Sequence, residues 1–153
     1  MHGPIVNVAY FLTPKSEVVW LPLGNTMRQA LERMERHRYS AVPLLDEDGK
    51  YVATLTEGDL LWKIKSTPGL SFEGTEKVRL VDVPRRIDNK AVHIEAQVET
   101  LVTLAIDQNF VPVVDSREVF IGIVRRKAIL EHCLRLIDTG RRAAPEPGAG
   151  EPQ

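Results

Sequence analysis

The sequence predicts an α+β fold in which one structural unit occurs twice and the two copies pack against each other. The first observation is internal repetition, because Pro43 and Pro112, 69 residues apart, align two long stretches of the chain without a gap. The second is the order of segments, which reads β-α-β-β-α in each copy. The third is that a three-stranded sheet with both helices on one face leaves its other face uncovered. Two copies related by a pseudo-twofold axis would bury those faces against each other.

Proline stops and one helical stripe define the start of the first copy. Residues 7–13 are rich in apolar side chains and stop at Pro14, which predicts a helical turn ended by the proline. Residues 18–21 are β-prone and end at Pro22, which predicts a short strand. Residues 24–26 offer capping groups, and the helix predicted after them carries apolar residues at helical spacing, namely Met27, Ala30, Leu31 and Met34.

A hairpin and a second helix complete the first copy. Residues 41–45 predict a buried strand, residues 46–49 an acidic turn that ends in glycine, and residues 51–56 the return strand. The segment 57–65 predicts a helix, since it places three apolar side chains on one face, namely Leu60, Leu61 and Ile64.

The second copy repeats this order and fixes the predicted boundaries. Its helical turn, short strand, helix, hairpin and last helix fall at residues 78–83, 92–94, 98–105, 111–124 and 126–137. The predicted division is a first repeat at 1–66, a linker at 67–76, a second repeat at 77–138 and a tail at 139–153. The tail is predicted to be disordered, because its proline, glycine and charged residues bury too little apolar surface to offset the entropy of ordering.

Composition excludes several classes of function. A formal net charge of -1 gives no reason to expect DNA or RNA as a partner. No apolar run is long enough for a membrane span, and the one cysteine, Cys133, fits a reducing compartment, so we expect a cytoplasmic protein. The four histidines are isolated, which predicts no metal site. Because neither a glycine-rich phosphate loop nor a nucleophile elbow is present, we expect no catalysis and no cofactor.

The repeated segments resemble a known family. Each copy has a helix, then an apolar strand with an internal proline and a closing aspartate, at residues 42–46 and 111–115. The return strand of the first copy leads into Thr56-Glu57-Gly58-Asp59. These features resemble a CBS domain, and the pair resembles a Bateman module. Residues 24–25, 39–43, 109–111 and 118–126 resemble the small stand-alone CBS proteins of Gram-positive bacteria, some of which bind cyclic di-AMP.

The resemblance implies an adenosine nucleotide in the cleft between the repeats. It assigns the ribose hydroxyls to Thr56 and Asp59, and a carboxylate in a first helical turn suits that role. The alternative is that Thr56 is a helix N-cap and Asp59 a first-turn charge. The second repeat has Arg125 and Ala128 at the equivalent positions, so we expect one good nucleotide site rather than two.

Three consecutive cations, Arg125, Arg126 and Lys127, are the predicted phosphate ligands. The alternative is a solvated basic helix start, although the helix dipole disfavours cations there. By resemblance, the base lies in an apolar slot formed by Val18, Val19, Trp20, Tyr39, Ser40 and Ala41. Either Tyr39 stacks on the base or it only covers the sheet edge. Val19 and Trp20 alternate, so one faces the core and the other the cleft or solvent.

The sequence and the resemblance together predict a non-catalytic adenine-nucleotide sensor that regulates a partner protein, itself unidentified. Cyclic di-AMP is the first predicted ligand, and AMP, ADP or ATP is the alternative. Such modules usually pair into a homodimer through helices, which we expect here. A second alternative is a ligand-free CBS pair that acts only as an interaction or dimerisation module.

Overall fold

The computed structural model describes residues 6–143. Within them are five α-helices: α1 Val8–Phe11, α2 Met27–His37, α3 Glu57–Ser66, α4 Val98–Asp107 and α5 Arg126–Ala143. The strands are β1 Thr13–Pro14, β2 Leu21–Pro22, β3 Ala41–Leu45, β4 Tyr51–Thr56, β5 Val92–His93, β6 Phe110–Val114 and β7 Phe120–Arg125. Short 3₁₀ turns lie at Lys15–Glu17, Glu73–Lys77 and Leu80–Asp82. In this part of the chain, no helix is both long and apolar enough to span a membrane.

The strands form two sheets that share one plan. The first sheet has the order β2-β3-β4 and the second the order β1-β7-β6-β5. In both, the short strand runs parallel to the first hairpin strand, and the hairpin is antiparallel. The registers also match, since Pro43 pairs with Thr54 and Pro112 with Ile123, each 69 residues on from its counterpart. The predicted α+β fold with two repeats is confirmed.

Helix α2 begins where the sequence offers a cap and buries three of its four predicted stripe residues, whereas Leu61, predicted on the apolar face of α3, is 60% exposed. Thr26 accepts a hydrogen bond from the Gln29 N–H, and the Gln29 side chain accepts one from the Thr26 N–H, a capping box at the start of α2. The buried side chains of α2 are Met27, Ala30 and Met34. The C-cap residue after α2 is Arg38. Its φ of 57° is left-handed and turns the chain toward β3.

The two repeats exchange their opening segments, which are residues 8–14 and residues 78–83. In the first, β1 pairs with β7 of the second sheet, and Val8 and Phe11 are buried in the core of the second repeat. In the other, Leu80 and Val83 are buried in the core of the first repeat. The division at residues 66 and 77 therefore follows the sequence repeat, whereas each core in space takes an opening segment from the other repeat.

The inner faces of the two sheets meet at a small apolar junction. Leu45 from the first sheet packs with Phe120 and Ile123 from the second, and all three are buried. The two hairpins also touch, because the Phe120 N–H donates to the Gly49 carbonyl at 2.9 Å. These contacts join the two repeats at the junction.

Two segments differ from their predictions. The strand predicted at 18–21 is wrong in extent, because β2 contains only Leu21–Pro22. The Val18 N–H donates to the Lys15 carbonyl at 3.1 Å, which holds the preceding residues in a turn and out of the ladder.

The predicted disorder of 139–153 is wrong for residues 139–143. There α5 continues to Ala143, supported by an ion pair of 3.2 Å between Arg142 and Asp138 one turn earlier. Residues 144–153 of that predicted tail lie outside the described residues.

Candidate functional site

A cavity of about 270 Å³ opens between the two repeats on one side of the junction. Its volume is close to the lower end of the range of about 300–1,000 Å³ found for small-molecule sites. The first repeat contributes Val18, Val19, Tyr39, Ser40, Ala41 and Pro43, and the second contributes Asn109, Phe110, Ile123, Arg125 and Lys127. The walls are thus mostly apolar, and polar groups are placed at a few points.

The cavity wall from the first repeat includes a short stretch that is not part of the sheet. Val18 and Val19 lie between the Lys15–Glu17 turn and β2, outside any ladder. Within residues 6–143, the Val19 N–H and C=O form no hydrogen bond. Backbone groups at the mouth of an apolar cavity are available to a bound molecule, because such groups otherwise need a partner or water.

Tyr39 and Ser40 are positioned by the end of α2. The Tyr39 N–H donates to the Met34 carbonyl at 3.0 Å, and the Ser40 carbonyl accepts from the Glu57 N–H at 2.9 Å. These bonds fix the backbone at the cavity wall, whereas the Tyr39 ring is partly exposed and stacks on His37 with a centroid distance of 5.8 Å. The ring therefore presents a partly exposed aromatic face beside the cavity.

Two cations stand at the rim, on the strand-to-helix turn of the second repeat. Arg125 is the last residue of β7, and Lys127 lies in the first turn of α5; both are exposed. The N–H groups that open a helix also carry partial positive charge, so the rim is doubly suited to an anion. The Lys127 Nζ has a loose ion pair with Glu131 at 3.9 Å, which water and ligand can displace.

Seven of the eleven predicted site residues line this cavity. They are Val18, Val19, Tyr39, Ser40, Ala41, Arg125 and Lys127. The other four, Trp20, Thr56, Asp59 and Arg126, are not among its lining residues.

Arg126 is committed to the fold rather than to the cavity. Its Nε donates to the Ala105 carbonyl at 2.7 Å, and its guanidinium also donates to the Ile106 carbonyl at 3.2 Å. These carbonyls belong to the last turn of α4, whose acceptors have no helical partner. Arg126 therefore caps α4, and its cationic head points away from the rim.

Thr56 and Asp59 form the capping box of α3, as in the alternative interpretation of these residues. The Thr56 hydroxyl accepts from the Asp59 N–H at 3.2 Å, and the Asp59 carboxylate accepts from the Thr56 N–H at 2.9 Å. The second Asp59 oxygen accepts from the Arg86 N–H at 2.9 Å, and the residue is only 3% exposed. Thr56 is the counterpart of Arg125 at the 69-residue offset, so both residues lie at the position that the pseudo-twofold axis relates to the cavity, on the other side of the junction.

Trp20 faces the junction rather than the cavity. Its ring packs on the cluster of Leu45 and Phe120, and the Lys15 Nζ lies 4.9 Å from the ring centroid. Of the alternating pair, Val19 lines the cavity and also packs on the core of the first repeat, whereas Trp20 packs at the junction.

Four lining residues were missed by reasoning from the sequence: Pro43, Asn109, Phe110 and Ile123. The repeat itself carries the signal that would have found two of them. Asn109 and Phe110 are the counterparts of Ser40 and Ala41 at the 69-residue offset, and a cleft on a pseudo-twofold axis is lined by the same segment of both copies. Ile123 has no such signal, since its counterpart Thr54 was not singled out.

Comparison with known proteins agrees with this architecture. Residues 9–66 match the CBS domain family. The chain is 26% identical over 130 residues to cyclic di-AMP receptor B of Bacillus subtilis (strain 168), covering 82% of this chain and 84% of the relative.

Two crystal structures have the same arrangement over most of their length. The Listeria monocytogenes CbpB protein in complex with c-di-AMP is 29% identical with a TM-score of 0.76, covering 86% of this chain and 98% of the other. A CBS domain protein from Streptococcus pneumoniae TIGR4 is 25% identical with a TM-score of 0.75, covering 84% and 87%. Residues 9–66 thus match the CBS domain family, and the chain has the paired-repeat fold of those two structures.

Proposed function

We propose that this protein is a non-catalytic sensor of an adenine nucleotide, with cyclic di-AMP as the first ligand. The observation that carries the proposal is the cavity itself, which has apolar walls from both repeats and two rim cations, Arg125 and Lys127. Binding there links the repeats, so it changes the free energy of their arrangement and the affinity for a regulated partner protein. The similarity to a cyclic di-AMP receptor and to CbpB bound to c-di-AMP supports the choice of ligand.

The base fits the wall that Val18 and Val19 form. An adenine edge presents an amino donor next to a ring-nitrogen acceptor, which complements the C=O and N–H of Val19. The Tyr39 ring lies at the same wall and offers an aromatic face for the base. This arrangement favours a purine with a 6-amino group, because a 6-oxo purine presents an acceptor to the Val19 carbonyl.

The phosphates fit the rim. Arg125 offers a planar fork for phosphate oxygens, and Lys127 a mobile point charge two residues away. Two separate cations suit two separate phosphodiesters, which favours cyclic di-AMP over the alternative ligands AMP, ADP and ATP. The ribose role inferred for Asp59 no longer supports a mononucleotide, because its carboxylate is occupied on the other side of the junction.

Thermal unfolding tests this proposal directly. We would compare the midpoint with cyclic di-AMP, AMP, ADP, ATP and cyclic di-GMP, each at about a hundredfold excess over its dissociation constant or at the solubility limit. A ligand that binds only the folded state stabilises it by about 2.7 kcal/mol at that excess. We expect the shift with cyclic di-AMP. If no adenine ligand moves the midpoint, the sensor proposal fails and a ligand-free interaction module takes its place.

We also propose that the protein pairs with a second copy of itself through α5. Leu130, Leu134 and Ile137 follow each other by one helical turn and are 55%, 65% and 52% exposed. An apolar stripe on an exposed helix face commonly marks a helix–helix interface.

Changing Leu134 to Asp is expected to convert the dimer to a monomer, because the substitution places a charge in the apolar stripe. Light scattering coupled to size exclusion would report the mass. Val81→Asp alters another exposed apolar residue outside α5 and should leave the mass unchanged. A wild-type protein that is already monomeric at high micromolar concentration would refute the dimer.

A further inference from the structure

The pseudo-twofold axis relates the cavity to an equivalent position on the opposite side of the junction, which we call the second cleft. Leu21 pairs with Leu44 in the first sheet as Val92 pairs with Val113 in the second, so the counterpart of Val19 is Lys90. At the 69-residue offset, the counterpart of Tyr39 is Gln108. The wall that would hold a base in the second cleft is therefore the Lys90 backbone next to Gln108.

The Gln108 side chain forms hydrogen bonds with both backbone groups of that wall. Its Oε1 accepts from the Lys90 N–H at 2.8 Å, and its Nε2 donates to the Lys90 carbonyl at 3.0 Å and to the Phe110 carbonyl at 3.3 Å. A carboxamide presents an adjacent donor and acceptor, as the edge of adenine does. Gln108 is only 7% exposed, so it fills this position rather than covering it from outside.

Two further side chains form hydrogen bonds with the same segment, residues 86–90. The Asp59 carboxylate accepts from the Arg86 N–H at 2.9 Å, and the Tyr51 hydroxyl donates to the Asn89 carbonyl at 3.4 Å. Burial raises the pKa of Tyr51 to about 12, so the phenol keeps its proton at neutral pH. The Arg86 guanidinium also lies 4.4 Å from the Trp62 ring centroid.

The open cavity has none of these polar groups at the counterpart positions. Phe120 stands in place of Tyr51, Ala128 in place of Asp59 and Tyr39 in place of Gln108. None of the three can make the bond that its counterpart makes: Phe120 and Ala128 have no polar side-chain atom, and Tyr39 has no carboxamide. The two clefts therefore have equivalent backbone segments. They differ in that side chains of the protein bind the wall segment by hydrogen bonds only in the second cleft.

We infer that Gln108 is an intramolecular occupant of the second cleft, which holds the Lys90 peptide as a purine edge would and excludes a second nucleotide. This inference rests on the proposed function for the open cavity. Its consequence is a stoichiometry of one nucleotide per chain, and removal of the Gln108 carboxamide creates a second site for an adenine nucleotide.

Hydrogen exchange tests the occupant without any ligand. In Gln108→Ala, the Lys90 amide loses its acceptor, so its exchange is expected to accelerate about tenfold relative to wild type. Gln97→Ala is the matched control, because Gln97 is exposed and its side chain makes no capping bond. An unchanged Lys90 amide in folded Gln108→Ala would overturn the inference. If that variant does not fold, Gln108→Leu keeps most of the side-chain volume but removes both the acceptor and the donor, and Lys90 exchange is expected to accelerate there too.

Equilibrium dialysis at saturating cyclic di-AMP, and separately AMP, tests the stoichiometry. We expect one equivalent per chain for wild type and for Gln97→Ala, and two for Gln108→Ala. Two equivalents on the wild type, or one on both proteins, would overturn the inference. A wild-type protein that binds neither ligand instead refutes the proposed function, whereas the exchange of Lys90 still decides whether Gln108 holds the second cleft.

Discussion

Replacing Arg125 and Lys127 together with glutamine is expected to weaken the binding of cyclic di-AMP by about 100-fold or more. Each cation makes a charge-assisted hydrogen bond to a phosphate, and such bonds contribute about 1.5–3 kcal/mol each, where about 1.4 kcal/mol is tenfold in affinity. Isothermal titration would measure the dissociation constant. The dependence of affinity on salt should also flatten, because the rim cations are exposed and screened by ions.

Arg33→Gln combined with Arg117→Gln is the matched control, since it removes the same net charge from exposed positions outside the cavity. Its affinity should equal that of the wild type. Asp59→Ala gives a second comparison: it should lower stability through loss of the α3 cap and leave cyclic di-AMP affinity unchanged. Loss of binding in Asp59→Ala at a temperature where the variant is folded would contradict the site we propose.

Gly122→Ala is expected to destabilise the protein by about 3 kcal/mol, at the upper end of overpacking costs. Gly122 pairs with Pro14, where β1 crosses β7. An added methyl group would overlap the Thr13 carbonyl oxygen, and it would stand 2.8 Å from the Leu12 Cδ1. Thermal unfolding should show a midpoint lower by roughly 10 °C for a chain of this size.

Gly140→Ala is the control for a change of the same chemical size. Gly140 lies in α5 with nothing within 4 Å of an added methyl group, so alanine there should stabilise the helix by about 0.5–1 kcal/mol. If Gly122→Ala unfolds at the wild-type midpoint, the close crossing of β1 over β7 is not required for stability. We further expect Gly122→Ala to weaken ligand binding, because β1 leads directly into the turn before Val18 and Val19.

The parts of the fold with strong periodicity were predictable. The stripe of α2 and both hairpins follow from side-chain spacing, because each element buries one face against its own repeat. The exchange of opening segments was not predictable, because β1 has only two residues, one of them Pro14, and carries no strand signal. The end of α5 was also missed. Composition alone predicts that residues 139–143 are disordered, but α5 precedes them and continues through them.

The site was predictable in its residue types and not in its geometry. Apolar residues at 18–19, the segment 39–41 and the cations at Arg125 and Lys127 do meet around one cavity. Thr56 and Asp59 belong to the opposite cleft, because the strand-to-helix turn of one repeat faces the short strand of the other. Arg126 does not line the cavity, because consecutive residues at a helix start point in different directions and only the structure shows which one reaches the carbonyls of α4.

The exchanged opening segments also govern how the chain acquires its structure during synthesis. Leu80 and Val83 complete the core of the first repeat, yet they are added to the chain only after residue 66. At about 5–20 residues per second, the first repeat waits for roughly one to three seconds with part of its core unfilled. The segment at 8–14 waits longer, since its partner strand β7 begins at Phe120. Neither repeat is therefore an independent folding unit, and a nascent chain interrupted between them exposes apolar surface that only the second half can cover.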